Sequence, residues 1–419
     1  MGIVKVCNLG TLSKNTLISN IKRHELVSFC SRLIQLRSEN PPGYTKEIAD
    51  YIKYKLEGNG FSCQTYEPIK NMINLVTSIG SGNPNLVLCG HLDVFPAGFN
   101  WSYDPFSGKV VNGKIFGRGA VDMKAGLAAA IVAFETLAKY ESEMQGRLTL
   151  ALFADEENMG FGGAQWMLKN VHDVRGDACL IGEPAGPDII TIGEKGVLWL
   201  RFKVEGELAH GAYIGGENAI VKAAGLIDAL KDLKNISGLA PPDIMYLIRK
   251  QQNYFRKQGL SKAASYLNRV WYNCGVIKGG ERINLVPPLC ELDVDIRLPM
   301  GVKPTQVLNE VNAKIEQCGL KRIGYETLFS MEANFTRPTE RIVDIARNNV
   351  ELILRKPARL FIRLGSTDGK FFRKAGIPTI TYGPNAQLMG RVNEFVYIRE
   401  LMYTAMVHLG TAYDFLYSK

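Results

Sequence analysis

Four stretches of the chain carry side chains that could do chemistry. His91-Leu92-Asp93 directly follows the apolar run Leu86-Val87-Leu88-Cys89. Asp122 lies in a glycine-rich turn, Gly117-Arg118-Gly119 through Asp122-Met123-Lys124. Asp155-Glu156-Glu157 follows the apolar run 148–154, and Glu183, in Gly182-Glu183-Pro184, ends the run Ala178 to Ile181. Short apolar runs of this kind read as strands buried on both faces, and in an open α/β sheet ligands bind at the carboxyl ends of strands. Taken singly, each acidic residue is a helix cap or a loop decoration, and a lone His-x-Asp is a structural histidine. Together they put one imidazole and several carboxylates at equivalent strand ends. Crowded carboxylates are costly, and a divalent cation relieves them. A mixed imidazole and carboxylate set suits zinc, manganese or cobalt better than calcium.

The surrounding pattern supplies the frame. Helices are expected over about 22–38, 45–59, 123–140 and 162–170, alternating with strands at about 61–66, 72–79, 85–89, 148–154 and 178–181. That alternation predicts a helix-flanked, largely parallel sheet. After Gly193 the rhythm changes. Val197 to Val204 alternates apolar and polar residues, as a strand buried on one face does. A helix over about 219–233, a helical stretch from Tyr246 to Asn268, strands near 271–277, 290–298 and 325–331 and a helix over 305–317 complete an α+β unit of two-layer type. From about Arg341 helix and buried strand alternate again, with Thr379 to Tyr382 the clearest strand. The expected organisation is an α/β domain, residues 1–193 and 332–419, interrupted by a smaller α+β domain, 194–331.

At 419 residues the chain suits two domains. Hydrophobic residues at 46% and charged residues at 22% exclude a disordered or fibrous chain. The longest apolar stretch, Ala125 to Phe134, is too short to span a bilayer, and Met1 to Leu17 carries no secretory pattern, so the expected location is the cytoplasm. The net charge of +9 is dispersed; Arg355–Lys356, Arg359–Arg363 and Arg373–Lys374 are its nearest approach to runs, so no nucleic-acid partner is expected. Eight cysteines stand singly at 7, 30, 63, 89, 179, 274, 290 and 318, without a Cys-x-x-Cys, and are expected to be reduced thiols.

The motifs carry a resemblance. Gly90-His91-Leu92-Asp93-Val94-Phe95-Pro96, Trp101 with Asp104-Pro105-Phe106, Gly117-Arg118-Gly119 through Lys124, Asp155-Glu156-Glu157, Gly182-Glu183-Pro184, His210-Gly211-Ala212, Asn284 to Pro287, Asp295-Ile296-Arg297 and Gly365 to Gly369 resemble, in order, the acetylornithine deacetylase, succinyl-diaminopimelate desuccinylase, aminoacylase and carboxypeptidase G family. The resemblance implies two co-catalytic metals, usually zinc, with His91 and Glu183 on the first, Asp122 bridging and Glu157 on the second. It implies that Asp93 supports His91 and that Glu156 is the general base toward water. His210 would stabilise the tetrahedral oxyanion from the other subunit of a homodimer, Arg297 and Asn284 would meet a substrate carboxylate, and Gly365 would belong to a wall beside the substrate. The inserted domain would then serve as lid and dimerisation domain. The substrate implied is a small carboxylate-bearing amide, an N-acyl amino acid or a dipeptide.

One element of the family pattern is missing. The family's last metal-ligating histidine would fall within Gly383-Pro384 through Asn393-Glu394, where this chain has Gly390 followed by Arg391. A single-metal centre, a second site completed by Asn385, Asn393 or water, and an Arg391 that binds an anionic substrate all remain open. Two alternative functions follow from that loss. One is a single-metal aminohydrolase acting on an aromatic amine, with Tyr254, Phe255, Tyr266, Trp271 and Tyr272 along its pocket. The other is a catalytically silent small-molecule binder.

Overall fold

A computed structural model describes residues 13–213 and 215–417. Cys7, and the part of the leader reading that covers residues 1–12, lie outside them. The chain divides into two compact units: one runs to Ile192 and includes Thr336–Leu360 and the chain from Thr367 onward, and the other comprises Gly193–Phe335 with Phe361–Ser366. The return of Phe361–Ser366 to the second unit has no counterpart in the composition of the sequence.

In the first unit the large sheet runs in the order Gln64–Ile69, Met72–Ser81, Gly146–Phe153, Asn85–His91, Ala178–Ile181, Thr379–Thr381 and Ile189–Glu194. Its four central strands are parallel, with His91 beside Phe153, Cys89 beside Ile181 and Ile181 beside Thr381. These are the apolar runs of the sequence. Leu86, Val87, Leu88 and Cys89 are wholly buried, as are Leu150, Leu152 and Phe153. Burial on both faces selects continuous apolar sequence, and parallel pairing brings the carboxyl ends of all four strands to one edge.

The helix expected over 123–140 is Ala125–Ala138, preceded by an irregular turn, Ala120–Lys124, in which Asp122 is extended (φ −118°, ψ 97°). The turn follows Gly119, whose φ of 81° suits glycine. The helix packs unusually close to the sheet: a Cβ on Gly126 would lie 1.7 Å from the Gly182 carbonyl oxygen. The small residues at the start of this helix let it approach the strand end that carries Glu183.

The second unit holds a four-stranded antiparallel sheet in the order Trp271–Gly279, Leu289–Leu298, Gly196–Glu205, Ile323–Met331. Leu198, Leu200, Phe202 and Val204 face a core shared with Ala223 and Leu226 of helix Ala219–Ala229 and with Val307 and Val311 of helix Pro304–Gln317. The alternation of that strand thus sorts its faces as expected for two layers. The expected helical stretch 246–268 is two helices, Pro242–Lys257 and Ser261–Tyr266, broken at Gly259 with φ 75°. No described helix is long and apolar enough to cross a membrane, and none of the described cysteines forms a disulfide.

Candidate metal centre

His91 ends its strand fully buried. Its Nδ1 lies 2.9 Å from the Asp93 carbonyl oxygen, which can only accept, so Nδ1 carries the proton. The opposite nitrogen, Nε2, lies 3.1 Å from Asp122 Oδ1 and 3.5 Å from Glu183 Oε1, and on losing its proton it would turn a lone pair to a cation held among them. Two groups of donor atoms lie within 4.8 Å of one another, His91 with Asp122 and Glu157, and His91 with Glu156 and Glu183. His91 belongs to both.

Asp93 touches His91 through two groups and the neighbouring turn through its carboxylate. Its main-chain carbonyl orients His91, while its carboxylate lies 3.5 Å from the ring. The carboxylate accepts the backbone N–H of Glu156 (3.2 Å) and Glu157 (3.1 Å) and the Asn40 side-chain amide (2.9 Å). It therefore fixes the turn that carries both glutamates. Burial would raise the Asp93 pKa, yet His91, Asn40 and the Glu157 N–H hold it below the usual carboxylate value. Asp155, at the left-handed start of the same turn, accepts from Asn40 and from the Gly162 N–H.

The acids around His91 pay for their proximity in proton affinity. Burial and then repulsion from Glu183 raise the Glu156 pKa well above the carboxylate range. Burial and then Asp122 do the same to Glu157. For His91, burial favours the neutral ring, but hydrogen bonds to Asp122, Asp93 and Glu183 outweigh it and raise the pKa. Sequence reading missed two further groups. Asp368, fully buried with neither carboxylate oxygen hydrogen-bonded, is pushed up to about 7 chiefly by burial. Lys370, also buried, donates to the Thr367 carbonyl oxygen at 3.0 Å, and its charge lowers the pKa of both Glu156 and Asp368. Asp368 falls within Gly365 to Gly369, read from sequence only as a wall beside the substrate, and Lys370 follows it directly.

The donor set fits a divalent cation. It combines one imidazole lone pair with four carboxylates, and Glu157 Oε1 is buried without a hydrogen-bond partner. One lysine cannot balance so many buried acids, whereas a cation among them would. A second imidazole is not among these groups. His408 is buried behind the Tyr382 carbonyl oxygen at 2.8 Å. At Gly390 the backbone is left-handed (φ 72°), and only Phe95 Cδ2, at 3.9 Å, lies within 4 Å of where a Cβ would stand. Arg391 beside it is exposed.

The remaining expected site residues, apart from Arg391, lie in the second unit. His210 is exposed, its ring tilted against that of Tyr213 at 5.3 Å, with its Nδ1 accepting the Ala212 N–H. Asn284 is exposed and its carbonyl accepts the Gly211 N–H. Arg297 is paired with Asp295 at 2.8 Å, which leaves Nη1 buried without a partner. At Gly365 a Cβ would make an ordinary contact with Arg363 Nε at 3.7 Å. The aromatic residues considered for an aminohydrolase pocket pack on one another instead: Tyr254 and Phe255 against Phe361, and Tyr266 against Trp271 at 4.0 Å.

A buried histidine ringed by carboxylates at the carboxyl edge of a parallel sheet is a centre that could hold the divalent cation of a metal-dependent hydrolase. The family model described as peptidase family M20/M25/M40 matches residues 87–414, and the chain belongs to that family. It is a hydrolase of carbon–nitrogen amide bonds, and the aminohydrolase and silent-binder alternatives are not favoured. Among its relatives, a succinyl-diaminopimelate desuccinylase of Beijerinckia indica subsp. indica is 27% identical over 366 residues, 84% of this chain and 88% of that protein. The fold is shared with the M20 family metallo-carboxypeptidase Sso-CP2 of Sulfolobus solfataricus, at 20% identity and a TM-score of 0.77 over 93% of this chain and 98% of the other. It is shared too with the YXEP protein of Bacillus subtilis, a dinuclear metal-binding peptidase, at 13% identity and a TM-score of 0.63 over 93% and 97%.

Proposed function

We propose that the chain hydrolyses the amide bond of a small carboxylate-bearing substrate, an N-acyl amino acid first and a dipeptide second. The observation that carries this reading is the pair of donor groups that share His91 at the sheet edge. Similarity to a succinyl-diaminopimelate desuccinylase supports the acyl amino acid class. His91, Asp122 and Glu183 would hold zinc or manganese, and Glu157 with Asp122 would hold a second ion more weakly, since no second imidazole joins the described donors. When bound, the cation supplies Lewis acidity for the amide carbonyl and makes water a better nucleophile.

The chain's own residues do the rest. Glu156, kept proton-hungry by burial and by Glu183, takes a proton from the attacking water and delivers it to the leaving nitrogen. Asp93 holds the Glu156–Glu157 turn through two backbone N–H groups, so that the base stays in place. His210 donates to the developing oxyanion from the partner of a homodimer. Arg297 and Asn284 receive the substrate carboxylate, Arg391 attracts it from outside, and Gly365 leaves room beside it. The second unit serves as lid and dimerisation domain, and the enzyme works in the cytoplasm.

The test is amine release from N-succinyl-diaminopimelate, N-acetyl amino acids and dipeptides, with zinc or manganese supplied. Glu156→Gln keeps the metal and loses about 10²–10⁴-fold in kcat. A variant that retained full activity would end the assignment of the base.

A further inference from the structure

Arg118 and Glu394 are 276 residues apart and both almost wholly buried, at 3% and 1% exposure. Arg118 Nη1 donates to Glu394 Oε2 at 2.6 Å and to the Arg391 carbonyl oxygen at 3.3 Å. Its Nη2 lies 3.3 Å from the carbonyl oxygens of Pro96, Ala97 and Gly390. Its guanidinium also lies 5.2 Å from the Trp101 ring centroid. The other Glu394 oxygen, Oε1, accepts the backbone N–H of Val121 at 2.8 Å and of Asp122 at 3.2 Å. Three segments thus meet at one ion pair: the loop that leaves His91 and Asp93, the turn that carries Asp122, and the segment 390–394.

A buried ion pair is a poor source of stability, because desolvation of two charges offsets most of their attraction. What it supplies well is registry, since a guanidinium fork and a carboxylate accept few arrangements of their partners. The Asp122 turn needs such a device. It lies outside the regular helix that follows, and among the described residues neither Val121 nor Asp122 has another partner for its N–H than Glu394 Oε1. We infer that Arg118 and Glu394 are positioning residues for the metal centre, fixing the main chain of Asp122 and locking it to the Gly390–Arg391 segment. This rests on the metallohydrolase reading above.

The experiment uses the full-length chain stripped with chelator. Zinc and manganese dissociation constants are measured by competition with a chromophoric chelator, well below the melting temperature of the metal-free protein, which is recorded for each variant. Glu394→Leu removes both the charge and the N–H acceptor. Arg118→Lys keeps the charge but cannot fork across the carbonyls. Glu394→Gln keeps an acceptor for the Asp122 turn. Arg118→Lys and Glu394→Leu should bind metal about 10–100-fold more weakly, the range for groups that orient metal ligands. Glu394→Gln should recover most of that loss, and kcat should fall with KM little changed. A purely structural pair would lower the metal-free melting temperature and leave the affinities of the folded variants untouched, which would overturn the inference. Should Glu394→Leu not fold, Arg118→Lys at wild-type affinity overturns it equally. If the wild type binds no divalent ion, the metallohydrolase reading fails first; if it binds and the variants match it, the positioning role alone fails.

Discussion

Replacing Asp93 by asparagine tests how the two glutamates are held. The carboxylate accepts three hydrogen bonds, from Glu156 N–H on Oδ1 and from Glu157 N–H and the Asn40 amide on Oδ2. Asparagine can place its amide nitrogen at either oxygen's position. The better choice keeps the two bonds at Oδ2 and sets an NH₂ against the Glu156 N–H. One buried donor left unsatisfied costs about 1–3 kcal/mol. The two retained bonds lose their charge assistance, about 1 kcal/mol each. The expected loss is therefore about 3–5 kcal/mol, a large part of the stability of an ordinary domain. At about 2–4 °C per kcal/mol for a domain of this size class, thermal unfolding followed by circular dichroism should shift down by roughly 6–20 °C. Zinc or manganese affinity should weaken about 10–100-fold, because Glu157 loses its fixed backbone. A melting temperature within about 2 °C of wild type, with unchanged metal affinity, would refute the idea that Asp93 organises this turn.

Two further outcomes follow from the packing. His408 is buried, with its pKa pushed down to about 4 by burial against the Tyr382 hydrogen bond. Its contribution to stability is complete above pH 6.5 and is lost as pH falls toward 4, because only the unfolded chain takes up the proton in that window. The gap is worth about 3 kcal/mol. In His408→Gln, whose amide can still donate to Tyr382, the loss of unfolding free energy between pH 7 and 4 should be smaller than in wild type by that amount; equal losses would contradict it. Gly126→Ala would set a methyl 1.7 Å from the Gly182 carbonyl oxygen. It should cost about 3 kcal/mol in denaturant unfolding and weaken metal binding by displacing Glu183, whereas an unchanged midpoint would contradict the close approach.

The strands that build the centre were legible because burial on both faces writes itself into sequence as an unbroken apolar run. Leu86 to Cys89 and Ala178 to Ile181 are such runs, and each strand ends near its functional acid or histidine. The short strands Lys109–Val111, Lys114–Phe116 and Phe395–Tyr397 carry too few residues for a period to emerge. The polar connections were hidden for a different reason. Asn40 meets Asp93 across 53 positions and Arg118 meets Glu394 across 276, so no local spacing announces either pair. Asp93 illustrates the limit: its proximity to His91 could be read from His-x-Asp, but its grip on the Glu156–Glu157 turn depends on two strands lying side by side. Asp368 and Lys370 resemble a turn until the fold buries them beside the centre.

Because His91 belongs to both donor groups, one comparison tests the account most directly. Wild type and His91→Ala are stripped with chelator, resupplied with zinc or manganese, freed of loose ions by gel filtration, and analysed for metal per chain. The account predicts at least one ion per wild-type chain and essentially none in His91→Ala that is folded by circular dichroism. Equal metal content in the two proteins would contradict it.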